Sequence, residues 1–449
     1  MPVDPSRLRA AFARGDVLDL PDQEVEAEAI LALLLGEVPA EPGQVAMLRL
    51  SGARITGQLD LDGAELRHRI ELVSCTLEQD LLLNDARTRA ITLVDCTLPA
   101  FRAGLARVDG DLKLSGCTMT GAHIESARVE GDLDLSRSHL QTLQATGVRV
   151  AGHLFLTEKV EITGLSGLNY IAITGQGRLS EAKLGRIEMH RARFESDLIV
   201  INRSSCESIE LIGTTAQGRV DLEYLRTGVL KCTEVQAAVL HLPDTEVREL
   251  DLDSTRVGVL RGVGRPYPGE LSINGLTYDT IEPAARTSER LAWIRLGSGR
   301  YQSQPYEQLA AFYKRTGHET DARTVLLAKQ RHRRGMLGWS GRLLGYLQDI
   351  TAGYGYRSWW AGAWLVACLV AGTAYFLNYP PPPLKSGEHP DFSAFAYTLD
   401  LLLPMVDLGQ TAAWNPHGVA QVAAYLLILV GWLLTLSVAT GITRMLFRD

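Results

Sequence analysis

The sequence predicts a right-handed β-solenoid with about 21 residues per turn, helical caps and a C-terminal two-helix transmembrane domain. Three observations support this fold class. Short strand-like segments recur with a fixed period, a helical pattern precedes them, and two uncharged apolar runs lie near the C-terminus. Their order predicts an N-terminal cap at 1–46, the solenoid at 47–263, a helical adaptor at 264–356 and a membrane domain at 357–449.

The acidic charge of the chain lies in its body. The formal net charge is −7 over 449 residues, but 314–449 holds 12 of the 45 basic and 8 of the 52 acidic residues. The first 313 residues therefore carry 33 basic and 44 acidic residues, which argues against nucleic acid as a partner. No secretory signal is recognisable and the six cysteines form no Cys-x-x-Cys pair, so we expect a cytoplasmic body.

The repeat has a period of 21 residues. This interval separates the members of two columns, which are Gly110, Gly131 and Gly152, and Cys75, Cys96 and Cys117 with Ser138 in the next place. Alternating segments such as 112–114 give each turn one apolar strand face. One turn cannot bury that face alone, so stacking of turns supplies the core. The cysteine column is interpreted as an inward corner that accepts only small residues.

Helical patterns flank the solenoid. The segment 22–38 has an apolar stripe at helical spacing and is predicted to cover the first turn. Two further helical patterns, 288–297 and 305–335, are predicted to pack against the other end. An interfacial helix is expected at 339–347. Anionic lipid is the expected partner of four basic residues near this segment, Arg331, Arg333, Arg334 and Arg342.

Two apolar runs are predicted to cross a membrane. The segment 358–378 has no charged residue, and 417–443 has only a histidine at its edge. Either is long enough, since about 20 apolar residues cross the hydrocarbon core. Nine basic residues precede the first run, Arg444 and Arg448 follow the second, and the loop between them has only Lys385. The positive-inside rule therefore places both termini and the solenoid on the cytoplasmic side of the cell membrane.

The segment between the runs resembles the pore loop of two-helix ion channels. A short apolar helix is predicted at 392–403, and an irregular turn follows it. Six residues are candidates for the pore loop: Pro404, Met405, Val406, Asp407, Leu408 and Gly409. A re-entrant loop at 392–409 requires a ring of subunits, most simply four, and Gly431 is a candidate hinge. The loop lacks Thr-Val-Gly-Tyr-Gly, so potassium selectivity is not predicted. The alternative is an external helix on the bilayer surface, with the spans serving only as an anchor.

Two family resemblances add expectations. The solenoid resembles the quadrilateral β-helix of pentapeptide-repeat proteins. Most of the chain is similar to actinobacterial membrane-anchored β-helix proteins that are often labelled membrane-associated oxidoreductases. This second likeness rests on "GDLDLS"-type repeats, "YEQLAAFYKRTGHETDARTVLLAKQ", "GYGYRSWWAGAWL" and "LDLLLPMVDLGQ". It implies redox chemistry, but there is no Gly-x-Gly-x-x-Gly between strand and helix and no haem or flavin motif, so no cofactor is predicted.

Three functions follow from these patterns. The first is a multimeric pore-like membrane protein whose solenoid senses a small molecule or a cytoplasmic protein. The second is a membrane-anchored scaffold without a pore, and the third is the oxidoreductase that the resemblance implies. No catalytic or metal-binding residue is predicted. The histidines of the body, His123, His139, His153, His190 and His241, share no ligand spacing and are interpreted as ordinary surface residues.

Overall fold

The computed structural model divides the chain into two compact units, which we call unit 1 (1–312) and unit 2 (313–449). It describes residues 3–36, 38–264, 266–297, 301–339, 342, 346, 358–385, 391–403 and 407–446, and at 201, 358–361 and 436–446 it describes the backbone only. Unit 1 is built of strands between short helices, and unit 2 is built of helices.

Unit 1 is a parallel β-solenoid of about 11 turns. The first strands are β1 Leu18–Asp19, β2 Glu24–Glu26, β3 Leu48–Ser51, β4 Arg54–Thr56, β5 Leu59–Asp60, β6 Ile70–Val73, β7 Thr76–Leu77, β8 Leu81–Leu82, β9 Arg87–Thr88, β10 Ile91–Val94 and β11 Ala100–Arg102. The middle strands are β12 Arg107–Val108, β13 Leu112–Ser115, β14 Thr118–His123, β15 Arg128–Val129, β16 Leu133–Asp134, β17 His139–Gln144, β18 Arg149–Val150, β19 Leu154–Leu156, β20 Glu161–Gly167, β21 Ala172–Ile173 and β22 Gly177–Ser180. The last strands are β23 Lys183–Glu188, β24 Arg193–Phe194, β25 Leu198–Ile201, β26 Ser205–Glu210, β27 Thr215–Asp221, β28 Arg226–Lys231, β29 Gln236–His241, β30 Glu249–Asp251, β31 Arg256–Arg261, β32 Glu270–Ser272 and β33 Thr277–Glu282.

The named strands pair in parallel with their equivalents one turn away. One ladder joins β3, β6, β10, β13, β16, β19, β22, β25, β27, β29, β31 and β33. A second joins β5, β8, β11, β14, β17, β20, β23, β26, β28, β30 and β32. In the middle of the body the register is the predicted 21 residues, as in the pairing of Arg128 with Arg149. The predicted solenoid is thus confirmed, and its ladders continue to Glu282, beyond the predicted boundary at residue 263.

The core lies inside the coil and is built from the alternation in each strand. Leu112 and Leu114 are fully buried, whereas the side chain of Lys113 between them is 44% exposed. The next two turns place Leu133 and Leu154 in register with Leu112, and both are fully buried. Burial of one such side chain contributes roughly 1.5–3 kcal/mol.

The column of small residues closes one corner of the coil from within. The thiols of Cys75, Cys96 and Cys117 lie 3.6, 3.3 and 3.5 Å from the carbonyl oxygens of Leu50, Leu72 and Leu93, respectively. Ser138 continues the column and donates its hydroxyl to the carbonyl of Leu114. On these four turns the corner holds a small side chain directed at a backbone carbonyl, in agreement with the packing interpretation of the cysteines. A hydrogen bond with the Cys117 thiol, together with burial, raises the pKa of Cys96 to about 12.

Helices cover both ends of the coil. At the N-terminus are α1 (Pro5–Arg14) and α2 (Ala27–Leu35), and α2 packs against β2 and β5. The helix predicted at 22–38 is shorter than expected, because Glu24–Glu26 pairs with β4 as a strand. Helices α3 (Thr287–Leu296) and α4 (Gln304–Arg315) follow the last strand. Gln304 and Gln308 donate to the carbonyls of Leu276 and Tyr278 at 2.8 and 2.6 Å, so polar side chains satisfy this open sheet edge.

Unit 2 continues with helices α5 (Glu319–Met336), α6 (Ser358–Asn378), α7 (Ala394–Leu402), α8 (Gln410–Ala413) and α9 (Val419–Leu446). The predicted spans correspond to α6 and α9, and the predicted short helix corresponds to α7. Over the part of the chain that the structure describes, no helix combines the length and the apolar character needed to cross a membrane. Membrane insertion of α6 and α9 therefore stays a prediction.

The glycine column gives a test of the stacking. Adjacent turns bond through the Gly152 amide, which donates to the Gly131 carbonyl at 3.0 Å. A Cβ at Gly152 would lie 2.6 Å from that oxygen, which belongs to the backbone and cannot swing aside. We expect Gly152→Ala to destabilise the solenoid by about 1–3 kcal/mol, measured as a lower melting temperature. Gly264→Ala is the matched control, because no described atom lies within 4 Å of its Cβ; equal melting temperatures for the two variants would contradict the argument.

Candidate functional site

The candidate site in unit 2 is built around the short helix α7, which packs against both long helices. Phe376 of α6 meets Tyr397 of α7 edge to face, with ring centroids 4.9 Å apart. The same buried cluster includes Leu401 of α7, Ala424 of α9 and Trp414, which follows α8. The hydroxyl of Ser393 caps the start of α7 by accepting from the Ala396 amide at 3.3 Å. Helix α7 is therefore a packed part of unit 2.

Two glycines allow this close packing. A Cβ at Gly372 of α6 would lie 2.5 Å from the Cγ2 of Thr398. A Cβ at Gly431 of α9 would overlap the Leu402 carbonyl oxygen and lie 2.8 Å from the carbonyl carbon. Gly431 was predicted as a hinge, and that role stays a prediction. The structure gives the glycine a different physical role, because α9 passes the C-terminal end of α7 at a distance that no side chain permits.

Asp400 anchors the segment that returns from α7. Its carboxylate accepts from the amides of Leu408 and Thr411, both at 2.9 Å, and from the Thr411 hydroxyl at 3.0 Å. Only 9% of the residue is exposed. Asp400 is not among the candidate site residues that the sequence predicts. The available signal in the sequence is a carboxylate inside an otherwise apolar helix. Its partners, the Leu408 and Thr411 amides, lie 8 and 11 residues further along the chain.

The candidate pore-loop residues divide into two groups. Pro404, Met405 and Val406 lie outside the described residues. Asp407, Leu408 and Gly409 are exposed. The Asp407 carboxylate accepts from the Gly409 amide at 2.9 Å, and Gly409 has the left-handed φ of 72° that ends the turn and starts α8.

A groove of about 470 Å³ opens beside this turn. Asp400, Thr411 and Gln421 contribute polar atoms to its wall, and Tyr425 and Trp432 of α9 contribute apolar surface. Nearby, Gln410 is 7% exposed and donates to the Asp391 carbonyl at 3.3 Å. The other polar atom of this side chain, Oε1, has no hydrogen-bond partner among the described residues. The groove thus offers a mixed polar and apolar surface next to a fixed carboxylate.

The predicted lipid-facing cations surround the end of α5. Arg331 and Arg333 are exposed. The guanidinium of Arg334 lies 3.9 Å from the centre of the Tyr346 ring. Arg342 donates to the carbonyls of Gly335 and Leu337 at 2.9 and 2.8 Å, so it caps the C-terminal end of the helix. Contact of these residues with lipid stays a prediction.

Apolar side chains are exposed along both long helices. Among the side chains that the structure describes, those more than half exposed on α6 are Val366, Val370 and Leu377, and those on α9 are Val419, Val422, Tyr425, Leu426, Leu429 and Trp432. Exposed apolar surface of this extent marks contact with a membrane, a partner or another copy of the chain.

The outer face of the solenoid carries columns of charge. Arg87, Arg107, Arg128 and Arg149 occupy consecutive rungs and are exposed. Asp109 lies 3.4 Å from Arg87, whereas Arg107, Arg128 and Arg149 have no ion-pair partner within 4 Å among the described residues. Like charges on neighbouring rungs repel, so this column is a feature that the fold alone does not favour.

A charged position on the second ladder of the solenoid is paired. The Glu210 carboxylate accepts from Lys231 Nζ at 2.9 Å, and His190 Nε2 lies 3.3 Å from it. Burial alone would raise the pKa of Glu210, but the hydrogen bonds from Lys231 and His190 outweigh burial and hold the pKa below its usual value.

No protein-family model, curated protein or solved structure matches the chain. The resemblances described above therefore stay expectations from the sequence.

We expect Asp400→Asn to loosen the turn between α7 and α8. Both carboxylate oxygens of Asp400 accept hydrogen bonds, whereas in asparagine only the amide oxygen accepts and the amide nitrogen donates. Hydrogen bonds to charged groups contribute about 1.5–3 kcal/mol each, so the Leu408 and Thr411 amides should exchange hydrogen about tenfold faster or more. Asp391→Asn is the control, because that exposed carboxylate has no hydrogen-bond partner among the described residues. Unchanged exchange in Asp400→Asn would show that the carboxylate does not hold the turn.

The paired Glu210 predicts a pH dependence of stability. The pKa of Glu210 is lower in the folded protein than in the unfolded chain, where it is about 4.3. The ion pair therefore stabilises the fold fully at pH values above the unfolded pKa, and this contribution disappears as pH falls through the folded pKa. The wild type should melt higher than Glu210→Gln at pH 6, and the difference should shrink by pH 3. Exposed Glu207 on the same strand provides the control variant, Glu207→Gln. A difference between wild type and Glu210→Gln that does not change with pH would refute the assignment.

Proposed function

We propose that the chain is an oligomeric membrane protein in which a right-handed solenoid with helical caps is the sensing or binding domain and unit 2 is a two-span, pore-loop-like membrane domain. The observation that carries the proposal is the short helix α7, packed against both α6 and α9 and followed by an irregular turn that Asp400 holds. The order of long helix, short helix, irregular turn and long helix is the order of a re-entrant loop.

The length of α7 supports this reading. Nine helical residues span roughly 14 Å, which is less than half of the hydrocarbon core. Irregular backbone at membrane depth is tolerated only inside protein or beside water. The Asp400 carboxylate satisfies the Leu408 amide of the irregular segment and the Thr411 amide in the first turn of α8, and neighbouring subunits would have to enclose the rest. A ring of four is the simplest such assembly.

Membrane attachment explains the apolar surface of unit 2. The exposed side chains of α6 and α9 belong to the two runs that the sequence predicts as spans. Arg331 and Arg333 precede the first run and Arg444 follows the second, which favours a cytoplasmic solenoid by the positive-inside rule. Among the described residues no helix qualifies as a span, so extraction from membranes is the first test of the proposal.

The second candidate function is a membrane-anchored scaffold without a pore. The column of Arg107, Arg128 and Arg149 supports it, because a partner with acidic groups would relieve the repulsion between neighbouring rungs. Asp407 also accepts a hydrogen bond from its own turn, as it would in a closed external loop. The oxidoreductase that the family resemblance implies is a third candidate, and bound chromophore or dinucleotide in the purified protein would support it.

The pore proposal is tested with the full-length protein. We expect it to stay in the membrane fraction until detergent is added, to form a closed oligomer in detergent and to conduct ions in planar bilayers. Asp407→Asn should change single-channel conductance by roughly twofold or more if the carboxylates ring the pore. Asp391→Asn, a second exposed acid of the same connection, should leave conductance nearly unchanged.

Two outcomes would contradict the proposal. If the protein is a monomer and conducts no ions in bilayers, the pore function is excluded and the scaffold function remains. The scaffold function predicts that the chain captures an acidic partner and that Arg128→Glu abolishes this capture. Recovery of the full-length protein in the aqueous fraction without detergent would remove membrane attachment as well.

A further inference from the structure

Three metal-ligating side chains converge on the outer face of the solenoid. Asp221 ends strand β27, Glu223 follows two residues later, and His241 ends strand β29. Alternation turns Asp221 and Glu223 outward because Leu222 between them is fully buried. The parallel register pairs Asp221 with His241 on adjacent rungs. Two consecutive turns of the coil thus bring together residues that the sequence separates by 18 and 20 positions.

The distances suit a bound cation better than an ion pair. His241 Nδ1 lies 3.4 Å from Asp221 Oδ1 and 3.7 Å from Glu223 Oε2. A charge-assisted N–H···O bond is shorter, about 2.7–2.9 Å, and one Nδ1 hydrogen cannot serve two carboxylates. Ligand atoms about 2.1 Å from a tetrahedral zinc ion stand about 3.4 Å apart. All three ligand atoms lie within 4.8 Å of one another.

The neighbouring cations leave this cluster acidic. Arg219 lies 3.9 Å from Asp221 but is shared with Asp197 at 3.6 Å. Arg261, on the rung after His241, is paired with Glu282 at 2.8 Å. The side chains of Asp221, His241 and Glu223 are 13%, 22% and 33% exposed, so they are held by their surroundings yet remain open to solvent on one side.

We propose that Asp221, Glu223 and His241 form a binding site for a divalent transition-metal cation of the zinc class. Imidazole with carboxylates is a ligand set for zinc and its first-row neighbours, and three protein ligands leave a fourth position for water or a small ligand. The cation would also join two successive turns, so binding should stabilise the solenoid. The proposal departs from the sequence interpretation of His241 as an ordinary surface residue, and it does not depend on the proposed membrane function.

The test uses the purified full-length protein after removal of metal by chelation. Calorimetric titration with Zn²⁺ should give one site per chain and raise the melting temperature. His241→Gln and Glu223→Gln should each weaken binding by about tenfold or more and abolish the thermal shift. His190→Gln and His139→Gln are the controls, because each of these histidines faces one carboxylate, Glu210 at 3.3 Å and Glu161 at 4.0 Å.

Co²⁺ distinguishes this site from the cysteines. The expected spectrum is that of nitrogen and oxygen ligands, and it should disappear in His241→Gln. Melting of the variants without metal verifies that they are folded. The proposal is overturned if Zn²⁺ does not bind, or if the folded variants His241→Gln and Glu223→Gln bind Zn²⁺ as the wild type does. It is also overturned if Co²⁺ gives a thiolate charge-transfer band that persists in His241→Gln.

Discussion

The stacking of parallel rungs determines what can stand at each position of unit 1. Backbone hydrogen bonds join residues about 21 apart and hold successive rungs roughly 4.8 Å from each other. A residue type that recurs with this period therefore lies beside the same residue type on the next rung. Glycine does so without cost at Gly131 and Gly152, where backbones touch. Arginine does so at a cost in repulsion at Arg107 and Arg128.

The columns of the solenoid also explain which sequence signals were reliable. The glycine spacing and the leucine alternation report close approach and burial directly, so the solenoid followed from them. Strand ends did not follow so well. Glu24–Glu26 continues a helical pattern in sequence but pairs with Arg54–Thr56, because the first turn offers an open edge whose hydrogen bonds outweigh the local preference of three residues.

The candidate sites could not be predicted from the sequence, for a different reason. Asp221 and His241 are equivalent positions only if the local register is 20 residues, and the repeat is blurred in that part of the chain. Asp400 was recognisable as an acid in an apolar helix, but its acceptor role depends on the return of Leu408 and Thr411 through an irregular turn. The period predicts contacts between equivalent positions on successive turns of the solenoid. It gives no information on an isolated turn of this kind.

Unit 2 uses the opposite solution to the same problem of satisfying backbone groups. In the solenoid the backbone of each rung supplies donors and acceptors to the next, and at the C-terminal end the side chains of Gln304 and Gln308 donate to the carbonyls of Leu276 and Tyr278. The turn after α7 has no neighbouring rung. A charged side chain takes that role, and Asp400 holds two amides and a hydroxyl at a burial that an unpaired carboxylate would not tolerate. Because the carboxylate is already occupied, an ion or partner in the adjoining groove would have to be bound mainly by other groups.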